Sequence, residues 1–502
     1  MHENPIDWLP KWLWSALSDV GNKAGIWLVG GAVRDKLIGL DTVDFDFAVE
    51  GDGRKIARAL ANALDGNYYE LDAQRGTGRS IVHRDRDADF VLDFASLRGG
   101  SILGDLQGRD FTLNALAISL KEPGALIDPL SGLQDLKDRV LRLCSAHALE
   151  DDPIRALRAA RLAVQLEARI DSQSLKQIRK IKNRMQEPSL ERVRDEIFRI
   201  LSLTKPAAAL RLLDNFGLLD VVFPELRPLR GLNRSTQASY DALEHSLAIV
   251  DHLSNLLSVI GNDQRRRTAA DLISAIFIFR LGAFRTQLKD YVNIALSHGR
   301  SIRELLLLAA LYHNVGKVNY QGAKQSHSSA RKTASIAAQR IADRARDLKL
   351  GRSEIHWLKH TTQNQNHPGQ VSLKQLANPR NLYRSLTMMD QELPGILLIF
   401  LAEFLAENDP PLDQEEWSMR IDVARALFDG FWNAAIDDLT QPPLANGDEI
   451  KGFLGIHPGP ELGVLLEKLR EAQYAGDITS KREALSLARK IQGRSTESKM
   501  TD

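Results

Sequence analysis

The sequence predicts an α+β chain: a head of mixed β-sheet and helices, followed by an elongated all-α body. Two observations carry that reading. Short apolar runs bounded by turn residues, the mark of strands, concentrate before about residue 145. They are Trp27–Val29, Phe45–Val49, Tyr68–Leu71, Ser80–His83, Phe90–Phe94 and Ala115–Ser119. After Asp152 the apolar spacing becomes helical and stays so. Length sets the scale, because 502 residues are too many for one core. Breaks at Pro188–Ser189, at Pro224, Pro228 and Gly231, at Pro410–Pro411 and at Pro442–Pro443 interrupt the body. The expected spans are 1–145, 146–230, 231–420 and 421–502.

Composition narrows the classes of function. With 66 Lys and Arg against 65 Asp and Glu, any nucleic-acid contact must come from local patches rather than a global field. The single cysteine, Cys144, excludes a disulfide framework and a cysteine-rich zinc site. The longest apolar runs, near Leu305–Leu311 and Ile396–Leu401, are far too short to span a bilayer. The N-terminus lacks the basic start, apolar centre and small-residue cleavage site of a signal peptide. A cytoplasmic protein with no membrane partner is the expectation.

The stretch LVGGAVRDKLIGLDTVDFDFAVE, Leu28 to Glu50, is the most informative. An apolar run ends in Gly30 and Gly31, a helix start bearing Arg34 follows, and a second strand carries Asp44 and Asp46. Residues two apart on a strand share a face, so both carboxylates point one way while Phe45 and Phe47 face the core. Carboxylates held that close repel unless a cation lies between them, and Mg2+ suits all-oxygen ligands. Glycine backbone N–H groups and a helix N-terminus favour phosphate oxygens. Together they suggest metal-dependent chemistry on a nucleoside triphosphate.

Two further constellations follow. GRDFTLNALAI places Arg109 and Asp110 before an alternating apolar segment. DDPIRALRAARLA opens a helix, with Asp151 or Asp152 as its N-cap and Pro153 in its first turn. Arg155 and Arg158 share a face and Arg161 lies at its edge. Cations near a helix N-terminus are electrostatically disfavoured, so an anionic or base-like partner is expected for the first two. Arg161 is equally consistent with a solvated pair to a neighbouring acid.

The ordered set LVGGAVRD, DFDF, RDFTLNALA, IDPLSGLQDLKDRVLR and DDPIRALRAARLA resembles the class II tRNA nucleotidyltransferase and bacterial poly(A) polymerase family. SLERVRDEIFRIL with LLDNFGLLDVVFPEL, and the C-terminal GDEIKGFLGIHPGPELGVLLEKLREAQYAGDITSKREAL, extend the resemblance over most of the chain. It implies a nucleotidyltransferase head, a helical nucleotide-recognition and neck segment, a middle helical domain and a C-terminal tRNA-binding region. The implied partners are the tRNA 3′ end and CTP, ATP or both.

The resemblance also implies a role for each matching residue. Asp44 and Asp46 would bind catalytic Mg2+ for in-line displacement, with Asp93 as a third acid. Gly30, Gly31 and Arg34 would contact the nucleotide, and Arg109 its triphosphate or ribose. Asp152 and Arg155 would read the incoming base in place of a template, supported by Arg158. Gly108 stands where many relatives carry arginine, and Asp151 replaces the commoner glutamate. Only ten residues, Gly99 to Gly108, separate Arg98 from Arg109. A short connection there resembles the CC-adding subgroup; addition of A, of the whole CCA, or of a poly(A) tail stays open.

His245, His313–Asn314, His327 and His360 resemble the metal-binding series of an HD-type phosphohydrolase. Asn314 and Glu403 stand where such domains carry aspartate, and a neutral amide is a poor ligand, so a degenerate site is expected. Lys176, Arg179, Lys180, Lys182 and Arg184 form a basic run, either a solvated helix face or a track for acceptor-stem phosphates. Arg265–Arg267 and the Lys481–Lys490 region are weaker candidates of the same kind.

Overall fold

The computed structural model describes residues 8–20, 25–84, 88–121, 125–232, 241–261, 272–297, 299–320, 327–407, 413–433 and 442–498. Its chain divides into two units, Met1–Leu203 with Ala209–Val222, and Thr204–Ala208 with Phe223–Asp502.

The first unit is built on seven strands: β1 (Ile26–Val29), β2 (Asp44–Val49), β3 (Asn67–Asp72), β4 (Thr77–Arg84), β5 (Ala88–Ser96), β6 (Ala117–Ser119) and β7 (Leu126–Ile127). All six expected strands are among them. They form one sheet in the order β3–β4–β5–β2–β1–β6–β7, in which only β2 and β5 run parallel. Helices α1 (Lys11–Val20), α2 (Gly31–Leu37) and α3 (Gly53–Ala63) precede β3 in the chain. Leu13, Leu17, Val33 and Leu60 from these helices close over Leu28, Phe45, Phe47, Leu92 and Phe94 to form the main core. Phe47 stacks on Phe94 at 4.8 Å between ring centroids. The alternation in DFDF therefore works as expected: its aromatics are buried and its acids are left on the other face.

Beyond the sheet come α4 (Ile102–Gln107), α5 (Gly132–Lys137), β8 (Val140–Leu141), α6 (Ala148–Asp151), α7 (Arg155–Gln165), β9 (Arg169–Ile170), α8 (Ser172–Lys180) and α9 (Leu190–Leu201). β8 and β9 form a parallel ladder, and Ala295–Ser297 pairs with Arg300–Ser301 in the second unit. The body is thus helical apart from short ladders, whose strands of two or three residues leave no periodic signal. The expected N-cap at Asp151 or Asp152 is a correction. Asp151 ends α6, Asp152 is extended with φ −155°, and α7 begins after Ile154. An extended residue before proline could still cap, but the Asp152 carboxylate is taken by Arg192 instead, and Ile154 at the cap position makes no side-chain cap bond.

Asp110 joins the sheet to these helices. Nearly buried, it accepts hydrogen bonds from the Phe111 N–H (2.8 Å), Asn114 Nδ2 (3.0 Å) and Arg158 Nη1 (2.8 Å). Burial alone would raise its pKa; the Arg158 charge and these three donors outweigh that and hold it at about 2. Asn114 Oδ1 in turn accepts from Arg34 Nη1 at 2.6 Å. Across the helix, Glu196 on α9 takes Arg161 Nε at 2.5 Å and lies 3.9 Å from Arg158 Nε.

The second unit is almost wholly helical. Ala242–Ile260, Ile302–Leu311, Arg352–Asn364 and Leu393–Glu407 pack around its interior. Asn314 is fully buried, and its Nδ2 lies within 3.2 Å of the Ala242 carbonyl, the His245 Nδ1 and Ser246 Oγ.

The Asp110 pKa gives the fold a specific acid sensitivity. Its folded value lies below the ordinary 3.8, so its stabilisation is complete above about pH 4 and is lost as pH falls through 2. Urea titrations from pH 5 to 2 should show the gap between wild type and Asp110→Asn narrowing by about 2 kcal/mol, at 1.36 kcal/mol per pKa unit. A gap that does not change with pH would mean that Asp110 is not a charged partner of Arg158.

Candidate active site

β2 presents Asp44 and Asp46 on its open face. In the ladder, Asp46 sits opposite Asp93 of β5, and Asp93 opposite Arg79 of β4. Arg79 grips Asp93 with two bonds, Nε to Oδ1 at 2.7 Å and Nη2 to Oδ2 at 2.8 Å. Asp93 therefore arrives already neutralised. Among the described residues, none donates a hydrogen bond to the Asp44 or Asp46 carboxylate. Asp46 is exposed on the open face of the strand, yet the protein packed around it removes part of its water. That desolvation raises its pKa; the Arg109 charge opposes it, and the Asp93 and Asp44 carboxylates add to it.

Such a pair, on one strand face and without a hydrogen-bond donor among the described residues, fits a divalent cation with oxygen ligands such as Mg2+. No group of three or more His, Cys, Asp or Glu side chains among the described residues is arranged for a metal. A cation on Asp44 and Asp46 would therefore complete its shell with water and substrate oxygens.

Gly30 closes the wall beside the acids. It has φ +76°, and a Cβ there would lie 2.7 Å from Arg109 Nη1 and 3.5 Å from Asp46 Oδ2. Only glycine meets both conditions. Arg109 is aimed by a residue that sequence reasoning missed: Asp105 of α4, itself buried, accepts from Arg109 Nε (3.1 Å) and Nη2 (3.0 Å). Arg34 is nearly buried behind Gly31, bonded to Asp35 and Asn114. The short connection before Arg109 is thus ordered, with Ser101 accepting from the Gly104 N–H to start α4.

The base-reading candidates lie on the turn between α6 and α7 and at the first residue of α7. Asp152 Oδ2 accepts from Arg192 Nη2 of α9 at 2.6 Å. Arg155 is largely buried, and its guanidinium donates to the carbonyls of Gly108 (2.8 Å), Arg109 (3.1 Å) and Ala148 (3.1 Å). Arg158 is held by Asp110. The expected anionic partner of Arg155 and Arg158 is thus carbonyl oxygen for one and a carboxylate for the other. Arg161 pairs with the buried Glu196 rather than with solvated acids. A cavity of about 900 Å3 opens here, lined among others by Asp152, Arg155, Arg192, Arg54, Arg75 and Arg98. Arg192 was visible in SLERVRDEIFRIL, but nothing in sequence spacing shows that it reaches 40 residues back to Asp152.

In the second unit His313 Nε2 lies 2.6 Å from Glu403 Oε1 and His360 Nδ1 lies 3.0 Å from Glu392. The His313 charge and hydrogen bond hold Glu403 well below the usual carboxylate range, against the desolvation of its site. His245 meets the Asn314 amide. The histidines are paired off to separate neighbours between helices; the His327 side chain and Arg265–Arg267 lie outside the described residues.

Comparison with known proteins identifies the family. Residues 26–142 match the poly A polymerase head domain, and residues 169–229 match the probable RNA and SrmB-binding site of polymerase A. The A-adding tRNA nucleotidyltransferase of Deinococcus radiodurans is 31% identical over 474 residues, covering 92% of this chain and 94% of the relative. The CC-adding tRNA nucleotidyltransferase of Geobacter sulfurreducens is 28% identical and covers 92% and 90%. The Thermotoga maritima CCA-adding enzyme complexed with tRNA shares the fold, with TM-score 0.55, 20% identity and 97% of each chain covered. No described helix is long and apolar enough to cross a membrane. With this relationship running nearly end to end, the chain belongs to the family of tRNA nucleotidyltransferases built on the poly(A) polymerase head.

Proposed function

We propose that the chain adds nucleotides from CTP or ATP to the 3′ end of tRNA without a nucleic-acid template. The observation that supports it most is the Asp44–Asp46 pair on one strand face, with no hydrogen-bond donor among the described residues, beside Gly30 and Arg109. The 3′-hydroxyl oxygen of the RNA attacks the α-phosphorus, a new phosphodiester forms, and the bond to pyrophosphate breaks. Mg2+ bound by Asp44 and Asp46 would lower the pKa of the hydroxyl and offset charge on the phosphates. Asp93, neutralised by Arg79, keeps the strand wall in place beside Asp46. The Gly30 and Gly31 backbone and the Arg109 guanidinium receive the triphosphate, with Arg34 bracing them through Asn114.

Asp152 accepts from the exocyclic amine of cytosine or adenine. Arg155 supplies the donor to the base ring after exchanging at least one of its carbonyl contacts. Arg158 holds α7 in place. The exposed Lys176, Arg179, Lys180 and Lys182 of the matched RNA-binding segment suit phosphates of the acceptor stem. Addition of CC is favoured by the short, ordered connection through α4. Addition of A alone is the second reading, favoured by the likeness to the Deinococcus radiodurans enzyme. A phosphohydrolase in the second unit is disfavoured because Asn314 is neutral and His313 is tied to Glu403.

The test offers tRNAs ending before CCA, after C and after CC, with labelled CTP or ATP supplied separately. CC addition predicts CTP incorporation on the first two and none of ATP on any; ATP on the third with no CTP on the first two would establish A addition, and ATP on the third together with CTP on the first two would establish addition of the whole CCA. Asp44→Ala should lower incorporation by roughly 10²–10³-fold or more, the scale of losing one preorganised transition-state contact, with tRNA binding retained. Unchanged incorporation in that variant would refute the mechanism. Phosphomonoester hydrolysis with Mn2+ or Ni2+ should be absent, and a hydrolysis lost in His313→Ala would reinstate the phosphohydrolase.

A further inference from the structure

Asp152 is already occupied. Arg192 Nη2 donates to its Oδ2 at 2.6 Å, at the lip of the cavity that would receive the base. The Arg192 side chain is 51% exposed and that of Asp152 22%. Arg155, which lines the same cavity, is committed to three carbonyls and nearly buried. To move, Arg155 must break buried carbonyl contacts, whereas Arg192 has only to leave the Asp152 carboxylate.

Its position is set by the fold. Ser189 caps α9 by accepting from the Arg192 N–H. One turn later on the same helix face, Glu196 is tied to Arg161 and lies near Arg158, which registers α9 against α7. Arg192 is thereby held opposite Asp152 by contacts that do not involve its own side chain.

We propose that Arg192 is a displaceable placeholder for the incoming base, and so a specificity-determining residue. The proposal rests on Asp152 as the acceptor for the base amine. The guanidinium N–H stands where N4 of cytosine or N6 of adenine would donate. A base carrying that amine replaces one donor on Asp152 with another, so the exchange is nearly balanced. Uracil O4 and guanine O6 are acceptors and cannot replace it, which leaves Arg192 in place and the site closed. An exposed pair is weak enough to exchange.

Full-length wild type, Arg192→Ala and Arg192→Lys are compared on tRNAs ending before CCA, after C and after CC. Each nucleoside triphosphate is supplied singly, and KM and kcat are measured. Arg192→Ala should lower KM about two- to fivefold for the amino-bearing nucleotide that wild type uses, as expected on removing a weak competitor. Incorporation of UTP relative to CTP or ATP should rise by at least a similar factor, and Arg192→Lys should restore both values toward wild type. A merely structural role would not lower KM. An unchanged or raised KM in a folded Arg192→Ala chain, or unchanged discrimination against UTP, overturns the proposal. An inactive wild type would instead defeat the parent reading, so the two failures are told apart.

Discussion

The arrangement of the first unit depends on one buried carboxylate, Asp110. Its oxygens take the Phe111 N–H, Asn114 and Arg158, and through these it reaches Arg34 behind the glycine turn and α7 behind Asp152. Removing one partner from a buried pair costs about 3–5 kcal/mol, because the other charge is left without compensation. An apolar replacement of the whole pair could be as stable, yet it would not aim Arg34 and α7 at once. The value of the pair is therefore positional: it sets the base-reading turn relative to the acidic strand.

Charge in the unit is distributed to the same end. Cations near the site are bound: Arg79 to Asp93, Arg109 to Asp105, Arg158 to Asp110 and Arg161 to Glu196. Among the described residues none donates a hydrogen bond to the two acids of β2, so the site presents oriented donors beside one anionic pair. Preorganised charges of this kind need little rearrangement when a reaction develops charge, which is where most electrostatic catalysis comes from. In the second unit the charges are paired inward instead, with His313 on Glu403 and Arg300 on Glu354.

Much of this was legible in the sequence, for local reasons. Strand alternation alone places Asp44 and Asp46 on one face and Phe45 and Phe47 in the core, and six strand segments follow from apolar runs and turns. Two-residue ladders such as β8 with β9 were not legible, since they carry no period. The start of α7 was misread because acid-acid-proline looks like a cap, whereas α7 begins after Ile154 and the Asp152 carboxylate goes to Arg192. The partners that tune the site, Asp105 for Arg109 and Arg192 for Asp152, depend on how α4 and α9 pack. Only long-range geometry shows them; the i,i+4 spacing of Asp105 and Arg109 was the single local hint.

The central claim is that a protein carboxylate stands in for a template base. The most direct measurement is the incorporation of CTP, ATP, UTP and GTP in competition on one truncated tRNA by wild type and Asp152→Ala. The account predicts that wild type takes an amino-bearing base almost exclusively and that Asp152→Ala loses most of that preference while still forming phosphodiester bonds. Full selectivity retained in Asp152→Ala would contradict it.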